Sequence, residues 1–371
     1  MGLRSFGVEE ELLLVDADGK VPRAMSTAVL RHARANGESL HHRLASGWID
    51  SELQRQQVEV CTPPCTTLDE LSRHVRARRT VAAQAARAAG VRIVALATCP
   101  VAVCPSLTPY DRYRRMADEY ARVTEEQLIC GCHVHVQVSS PDEGVGVLDR
   151  IQPWLPPLLA LSANSPFWQG RDTGYESWRR QVWARWPSNG PTEPFGTAER
   201  YRRVVRTMIE TGTLLDEGMV YFDARLSRRY PTVEIRVPDV CLIADDTVLV
   251  AALTRGLVET AAREHRAGVP PAPVRTELLR SAMWRAGRSG LGGTLVHPGT
   301  WRPAPVETVV RALVEHVRPA LEDAGDMADV RDLLKAPARR GNGARLQRAA
   351  YARTGRTAGV VADAVERTMD F

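Results

Sequence analysis

Apolar and charged residues alternate in four short segments of the chain, at 6–15, 57–60, 133–138 and 233–237. Alternation is the strand pattern, because side chains at i and i+2 lie on one face. Glu9 and Glu11 therefore share a face, as do His133 and His135, and Glu234 and Arg236. Glu10 points the other way. The intervening Val, Ile and Leu positions suit a core. The pattern predicts a sheet with one apolar face and one face of carboxylates, imidazoles and guanidinium. Unpaired buried charge is costly, so such a face calls for occupants. Mg2+ or Mn2+ suits carboxylates and tolerates imidazole, and phosphate suits arginine.

Helical patterns fill much of the rest. Thr67 followed by Glu70 is a capping box ahead of an Ala- and Arg-rich helix over 68–89, closed by Gly90. A strand region is expected over 52–61 and a buried strand over 91–97. Helices are predicted over 109–126, 144–163 (broken by Pro153, Pro156 and Pro157), 197–211 and 245–265. A strand is expected near 219–223. Residues 164–196 read as a long loop dense in Trp, Arg, Gly and Pro, either an aromatic minicore or a functional lid. From about 275 the chain reads as helices without a strand. Strands early and centrally, with helices between and after, predict an α+β fold with a mainly antiparallel sheet. No repeat or linker divides it, so residues 1–371 read as one domain.

Composition is that of an ordinary globular protein, 44% hydrophobic and 25% charged. The net charge of +5 is dispersed, which gives no reason to expect nucleic-acid binding. Lys20 and Lys335 are the only lysines, so nearly all positive charge is arginine. No signal-peptide pattern and no membrane-length apolar run is present. The seven cysteines have no framework spacing, which predicts reduced thiols and a cytoplasmic protein. Cys132 alternates with His133 and faces away from it, which argues against a Cys/His zinc site.

Each candidate residue has a plainer reading. Glu9 to Glu11 could be a solvated edge strand, yet the Leu12-Leu13-Leu14-Val15 continuation points to a central one. Glu52 and Glu59 could be surface carboxylates, and Glu59, between Val58 and Val60, is the better third ligand. His133 and His135 could be hydrogen-bonded core residues. Glu234 and Arg236 could be a solvated ion pair, but Arg225 and Arg229 nearby argue for an anion site. The chain has no P-loop, no dinucleotide fingerprint after a strand and no nucleophile elbow.

Five segments together resemble a known family: Gly7-Val8-Glu9-Glu10-Glu11, Glu52 with Gln57-Val58-Glu59, Gly131-Cys132-His133-Val134-His135-Val136, Leu161-Ser162-Ala163-Asn164-Ser165-Pro166-Phe167 and Pro231-Thr232-Val233-Glu234-Ile235-Arg236. The Trp- and Arg-rich run at 177–187 fits as well. In order and spacing they are similar to the YbdK-type carboxylate–amine ligases, also called glutamate–cysteine ligase type 2, of the glutamine synthetase-like superfamily. The resemblance implies a curved, mainly antiparallel sheet forming a funnel with helices outside. It implies that ATP phosphorylates a carboxylate and an amine then displaces phosphate, on Mg2+ or Mn2+. Carried over, Glu9, Glu11, Glu52, Glu59, His133 and Glu234 are metal ligands. His135, Arg236, Arg225 and Arg229 meet the nucleotide phosphates, with Arg236, Arg225 and Glu234 catalytic. Asn164, Ser165 and Arg179 contact substrate, and a homodimer is expected. The substrates are small-molecule amino-acid carboxylates and amines, with glutamate and cysteine as one pair, and neither nucleic acid nor membrane is a partner. The competing classes are a guanidino-type phosphotransferase, a metal-dependent hydrolase and a non-catalytic ATP- and metal-binding homologue.

Overall fold

A computed structural model describes residues 2–35 and 49–371. Its centre is a seven-stranded antiparallel sheet. The strands, in chain order, are β1 (Phe6–Asp16), β2 (Ile49–Ser51), β3 (Gln57–Cys61), β4 (Val91–Val94) and β5 (Cys132–Gln137). A small ribbon follows, β6 (Phe167–Trp168) with β7 (Arg171–Asp172), then β8 (Ala224–Leu226) and β9 (Thr232–Ile235). A second ribbon, β10 (Thr294–Val296) with β11 (Pro303–Pro305), lies outside the main sheet. The order across the main sheet is β2-β3-β1-β5-β9-β8, with β4 on the end of β1. The first long apolar-and-acidic segment is thus a central strand.

The back face is apolar. Leu12, Leu14, Val58 and Val60 pack against the helix Leu68–Ala88 and the C-terminal helix Thr357–Thr368. Val134, Val136, Val233 and Ile235 pack against the helices Pro141–Ile151 and Ala244–Arg266. Each such side chain, fully buried, contributes about 1.5–3 kcal/mol. Thr67 caps the helix Leu68–Ala88 with the reciprocal Glu70 contact that the sequence predicts. Helix Ala244–Arg266 is buried nearly all round in its first four turns rather than along one stripe. Other helices surround it, and Gly256 lets Leu321 and Val317 approach to where a Cβ would be 3.2 Å away.

Several expected elements differ. The helix expected over 109–126 is two, Asp111–Tyr120 and Arg122–Glu125, broken where Ala121 takes φ +45°. The strand region expected at 52–61 shrinks to β3, leaving Glu52 on the connection from β2. The strand expected near 219–223 is a 3-10 turn at Glu217–Met219, with pairing delayed to β8. The loop at 164–196 contains the β6–β7 ribbon and a short helix, Arg179–Trp183. The C-terminal part, expected to be all helix, contains the β10–β11 ribbon. No helix among the described residues is long and apolar enough to cross a membrane.

Candidate active site

Antiparallel pairing turns the local alternation into a continuous polar surface. In register across the strands, Asp50 of β2 faces Glu59 of β3, which faces Glu11 of β1. Glu9 faces His133 of β5, and His135 faces Glu234 of β9, which faces Arg225 of β8. Arg236 follows β9 directly. These side chains line a cavity of about 1200 Å3. Glu52, Arg179 and Arg229 line it too.

The contacts are close. His133 Nδ1 lies 3.4 Å from Glu9 and its Nε2 3.8 Å from Glu11. His135 Nε2 lies 3.4 Å from Glu9, while its Nδ1 is 2.9 Å from the Thr232 hydroxyl. Glu11 accepts the Gly131 backbone N–H at 2.5 Å. Arg225 grips Glu234 through Nε at 2.8 Å and Nη2 at 3.0 Å, and Arg236 bonds the same carboxylate. Arg225 also donates to the Val220 carbonyl at 3.0 Å, which fixes its direction.

Charge divides this face. Burial pushes the Glu52 carboxyl up to about 8, and the Glu11 charge adds to the effect. Burial, then Glu9, Glu52 and Glu11, hold Glu59 well above its ordinary value. Burial opposes ionisation of Glu234 as well, but Arg225 and Arg236 outweigh it and hold that group well below the carboxylate range. Glu9 is likewise lowered against burial by His135 and His133. Burial and Arg236 depress His133. His135 is raised, because Glu9 outweighs its burial.

Two ligand groups fit divalent cations: Glu9, His133 and Glu234, and Glu11, Glu59 and His133. In each group the ligand atoms lie within 4.8 Å of one another. His133 Nε2 and His135 Nε2 are buried without a hydrogen-bond partner. Buried imidazole nitrogens without partners, set among crowded carboxylates, form a donor set that a divalent cation would satisfy. The oxygen-rich donor set suits Mg2+ or Mn2+ better than zinc.

Arg179 comes from the Trp-rich segment and reaches the same place. Its guanidinium donates to the Val237 and Arg236 carbonyls at 3.2 Å and lies 5.1 Å over the Trp183 ring. Arg236 lies over the same ring at 5.8 Å. That segment is therefore both minicore and cavity wall. Gly131 makes the approach possible: a Cβ there would sit 2.3 Å from Arg179 Nη2 and 3.1 Å from His133 Nε2.

Asn164 and Ser165, expected to touch substrate, stand apart from the cavity. Both are completely buried. Asn164 Nδ2 donates to the Ala95 and Val240 carbonyls. Ser165 donates to Asp239 at 2.7 Å and accepts the Arg179 backbone N–H at 3.0 Å. Ser165 thus anchors the Arg179 segment, while the Asn164 side chain ties Ala95, Val240 and Gln347 together, and neither residue lines the cavity. Sequence reasoning missed Asp50, which has no local signal, and Arg79. Arg79 is fully buried behind β1 and pairs with Glu10 at 2.6 and 2.9 Å.

The family model for glutamate–cysteine ligase family 2 matches residues 5–367. The chain belongs to that family. Among its relatives, a protein of Streptomyces coelicolor provisionally named glutamate–cysteine ligase 2 is 53% identical over 366 residues, 99% of each chain. A similarly named protein of Paenarthrobacter aurescens is 47% identical over 371 residues, covering 100% of this chain and 96% of its own. The fold is shared with solved ligases. A bifunctional glutathione synthetase from Pasteurella multocida superposes with TM-score 0.71 at 16% identity, over 99% of this chain and 52% of that one. A glutamate–cysteine ligase from Francisella tularensis, solved with AMP, gives 0.69 at 14% identity, over 100% and 89%. As a member of glutamate–cysteine ligase family 2, the protein is an ATP-dependent carboxylate–amine ligase, and its fold is that of these solved ligases.

Proposed function

We propose that this ligase joins an amino-acid carboxylate to an amine through an acyl phosphate, with glutamate and cysteine the first pair to test. The observation that carries the reading is the junction in one cavity of two carboxylate–imidazole groups sharing His133 with the Glu234–Arg225–Arg236 cluster. Glu9, Glu11, Glu52, Glu59, His133 and Glu234 would hold Mg2+ or Mn2+, which when bound supplies charge neutralisation for the nucleotide phosphates.

The chain's own residues carry the rest. Arg236 and Arg225 are fixed guanidiniums, held by Glu234, that stabilise negative charge on the phosphoryl group as it moves from ATP to the carboxylate. His135, oriented by Thr232, presents Nε2 toward the phosphates. Arg179, braced on Trp183, meets an anionic group of the donor. Arg229, at the cavity mouth, adds a further phosphate contact. The amine then attacks the acyl carbon, the C–O bond to phosphate breaks, and inorganic phosphate leaves.

ADP release, measured across an array of amino acids and amines with products read by mass spectrometry, tests this. An amide that needs ATP and both substrates supports it. A stable phosphorylated guanidine without free phosphate, or turnover without ATP, contradicts it. The same reading includes a homodimer and a cytoplasmic setting, and light scattering of the purified protein tests the dimer.

A further inference from the structure

The β2–β3 end of the cavity is set apart by what it leaves uncommitted. Asp50 lines it, accepts the Ser51 backbone N–H at 2.7 Å and makes no ion pair among the described residues. Gln57 shares a face with Glu59 on β3 and is 3% exposed. Its Nε2 donates to the Ile129 carbonyl at 2.7 Å, which fixes the amide and leaves Oε1 without a partner among the described residues. Two residues before Ile129, Gln127 lines the cavity too, and its Oε1 is buried with no partner. A carboxylate and two amide oxygens are hydrogen-bond acceptors, and buried acceptors left unpaired are costly. They call for N–H donors.

Among the described residues, no guanidinium at this end is free to meet a second anion. Arg112 is held at two points by Asp216, at 2.7 and 2.9 Å. Arg236 is bonded to Glu234, and Arg179 serves the donor. A carboxylate brought here would face Asp50, Glu52 and Glu59 with no cation of the chain to balance it, an arrangement that like-charge repulsion disfavours.

The walls are apolar. Tyr113 and Met116 of the helix Asp111–Tyr120 line this end, with Ile129 and Trp186. Tyr113 stands near enough to Glu52 and Glu59 to feel both charges. Thr124 ties Met116 to the Gln127 segment: its hydroxyl donates to the Met116 carbonyl at 2.9 Å, and its carbonyl accepts the Gln127 N–H at 3.2 Å. Trp186 is held edge-on by Tyr120 and Tyr221, with ring centres 5.2 and 5.3 Å away. Aromatic and thioether surface of this kind packs against an aliphatic or aromatic body.

We propose that this end is the acceptor subsite, and that it takes a primary amine with an apolar body and no carboxylate. Asp50, Gln57 and Gln127 read the nitrogen, while Tyr113, Met116 and Trp186 read the body. This rests on the ligase reading above and adds to it the class of the amine.

The test is calorimetric binding, in Mg2+ and a non-hydrolysable ATP analogue, of matched pairs: 2-phenylethylamine against phenylalanine, isoamylamine against leucine, and cysteamine against cysteine. The expected result is that each amine binds at least about tenfold more tightly than its amino acid. 2-Phenylethylamine and isoamylamine should also bind more tightly than cysteamine. Asp50→Asn should narrow the gap within every pair. Tyr113→Ala should weaken 2-phenylethylamine about tenfold and cysteamine less. Both side chains are partly exposed, so the fold should persist, and a retained cooperative thermal transition checks this. The wild-type comparison needs no variant. Amino acids binding as tightly as their amines, cysteamine matching 2-phenylethylamine, or affinities unchanged in both variants overturns the proposal, as does failure of every probe to bind. The expected binding order without an amide from any donor and amine would overturn the ligase reading instead, and leaves the amine subsite standing.

Discussion

Glu11 and Glu59 face each other directly across neighbouring antiparallel strands. Like charges in that position are destabilising, and Asp50 stands opposite Glu59 on its other side. The sheet holds them together on a rigid apolar back, so the strain is relieved by protonation or by a cation.

Without metal, therefore, stability should depend on pH. Glu52 has a folded-state pKa of about 8 against an ordinary 4.5, raised first by burial and then by Glu11. Glu59 is raised well above the ordinary value too. A group whose pKa is raised by folding contributes stability below its unfolded value and loses it as pH rises through its folded value. The melting temperature in chelator should fall as pH rises from 4.5 toward about 8. Mg2+ should reverse the fall and release protons, as calorimetry in two buffers would show. Glu52→Gln should flatten the pH dependence.

His133 belongs to both ligand groups, whereas Glu59 belongs to one. His133→Ala should weaken Mn2+ binding at both sites, by roughly 10- to 100-fold or more. Glu59→Gln should affect one of two binding events. Titration followed by the magnetic resonance of free Mn2+ counts them.

Arg79 and Glu10 form a buried pair on the back of the central strand, extended by Thr247 and by the carbonyls of Leu242, Cys241 and Thr368. Removing one partner leaves a buried charge. Arg79→Met should cost about 3–5 kcal/mol in urea unfolding. Adding Glu10→Gln should recover much of that, because the charge goes too.

Gly131→Ala places a methyl where the Arg179 guanidinium lies. The back-face core is untouched, so folding should persist. Displacing Arg179 by about an ångström should lower kcat/KM by about a hundredfold, measurable by ADP release.

The local half of this site is legible in the chain. Alternation alone puts Glu9 with Glu11 and His133 with His135, and the capping box at Thr67 marks its helix start. What joins them is not legible, because register decides which residues face each other: His135 meets Glu234 only once β5 and β9 pair. The partner of Glu10 is hidden for the same reason, since Arg79 is 69 residues away on a helix that reads as merely arginine-rich. Asn164 and Ser165 misled because a polar pair in a recognisable motif reads as contact. Here it is scaffolding, with Asp239 as the hub that draws together Asn164, Ser165 and Ser177. Glu52 reached the site from a turn, where no periodicity could aim it.

The measurement that bears most directly on the central claim is oxygen transfer. The carboxylate donor is labelled with heavy oxygen and turned over with ATP, Mg2+ and the amine, and the released phosphate is weighed. If Arg225, Arg236 and the carboxylate–imidazole face activate a carboxylate by phosphorylation, one labelled oxygen moves into inorganic phosphate for each amide formed. Amide formation with unlabelled phosphate would contradict that account.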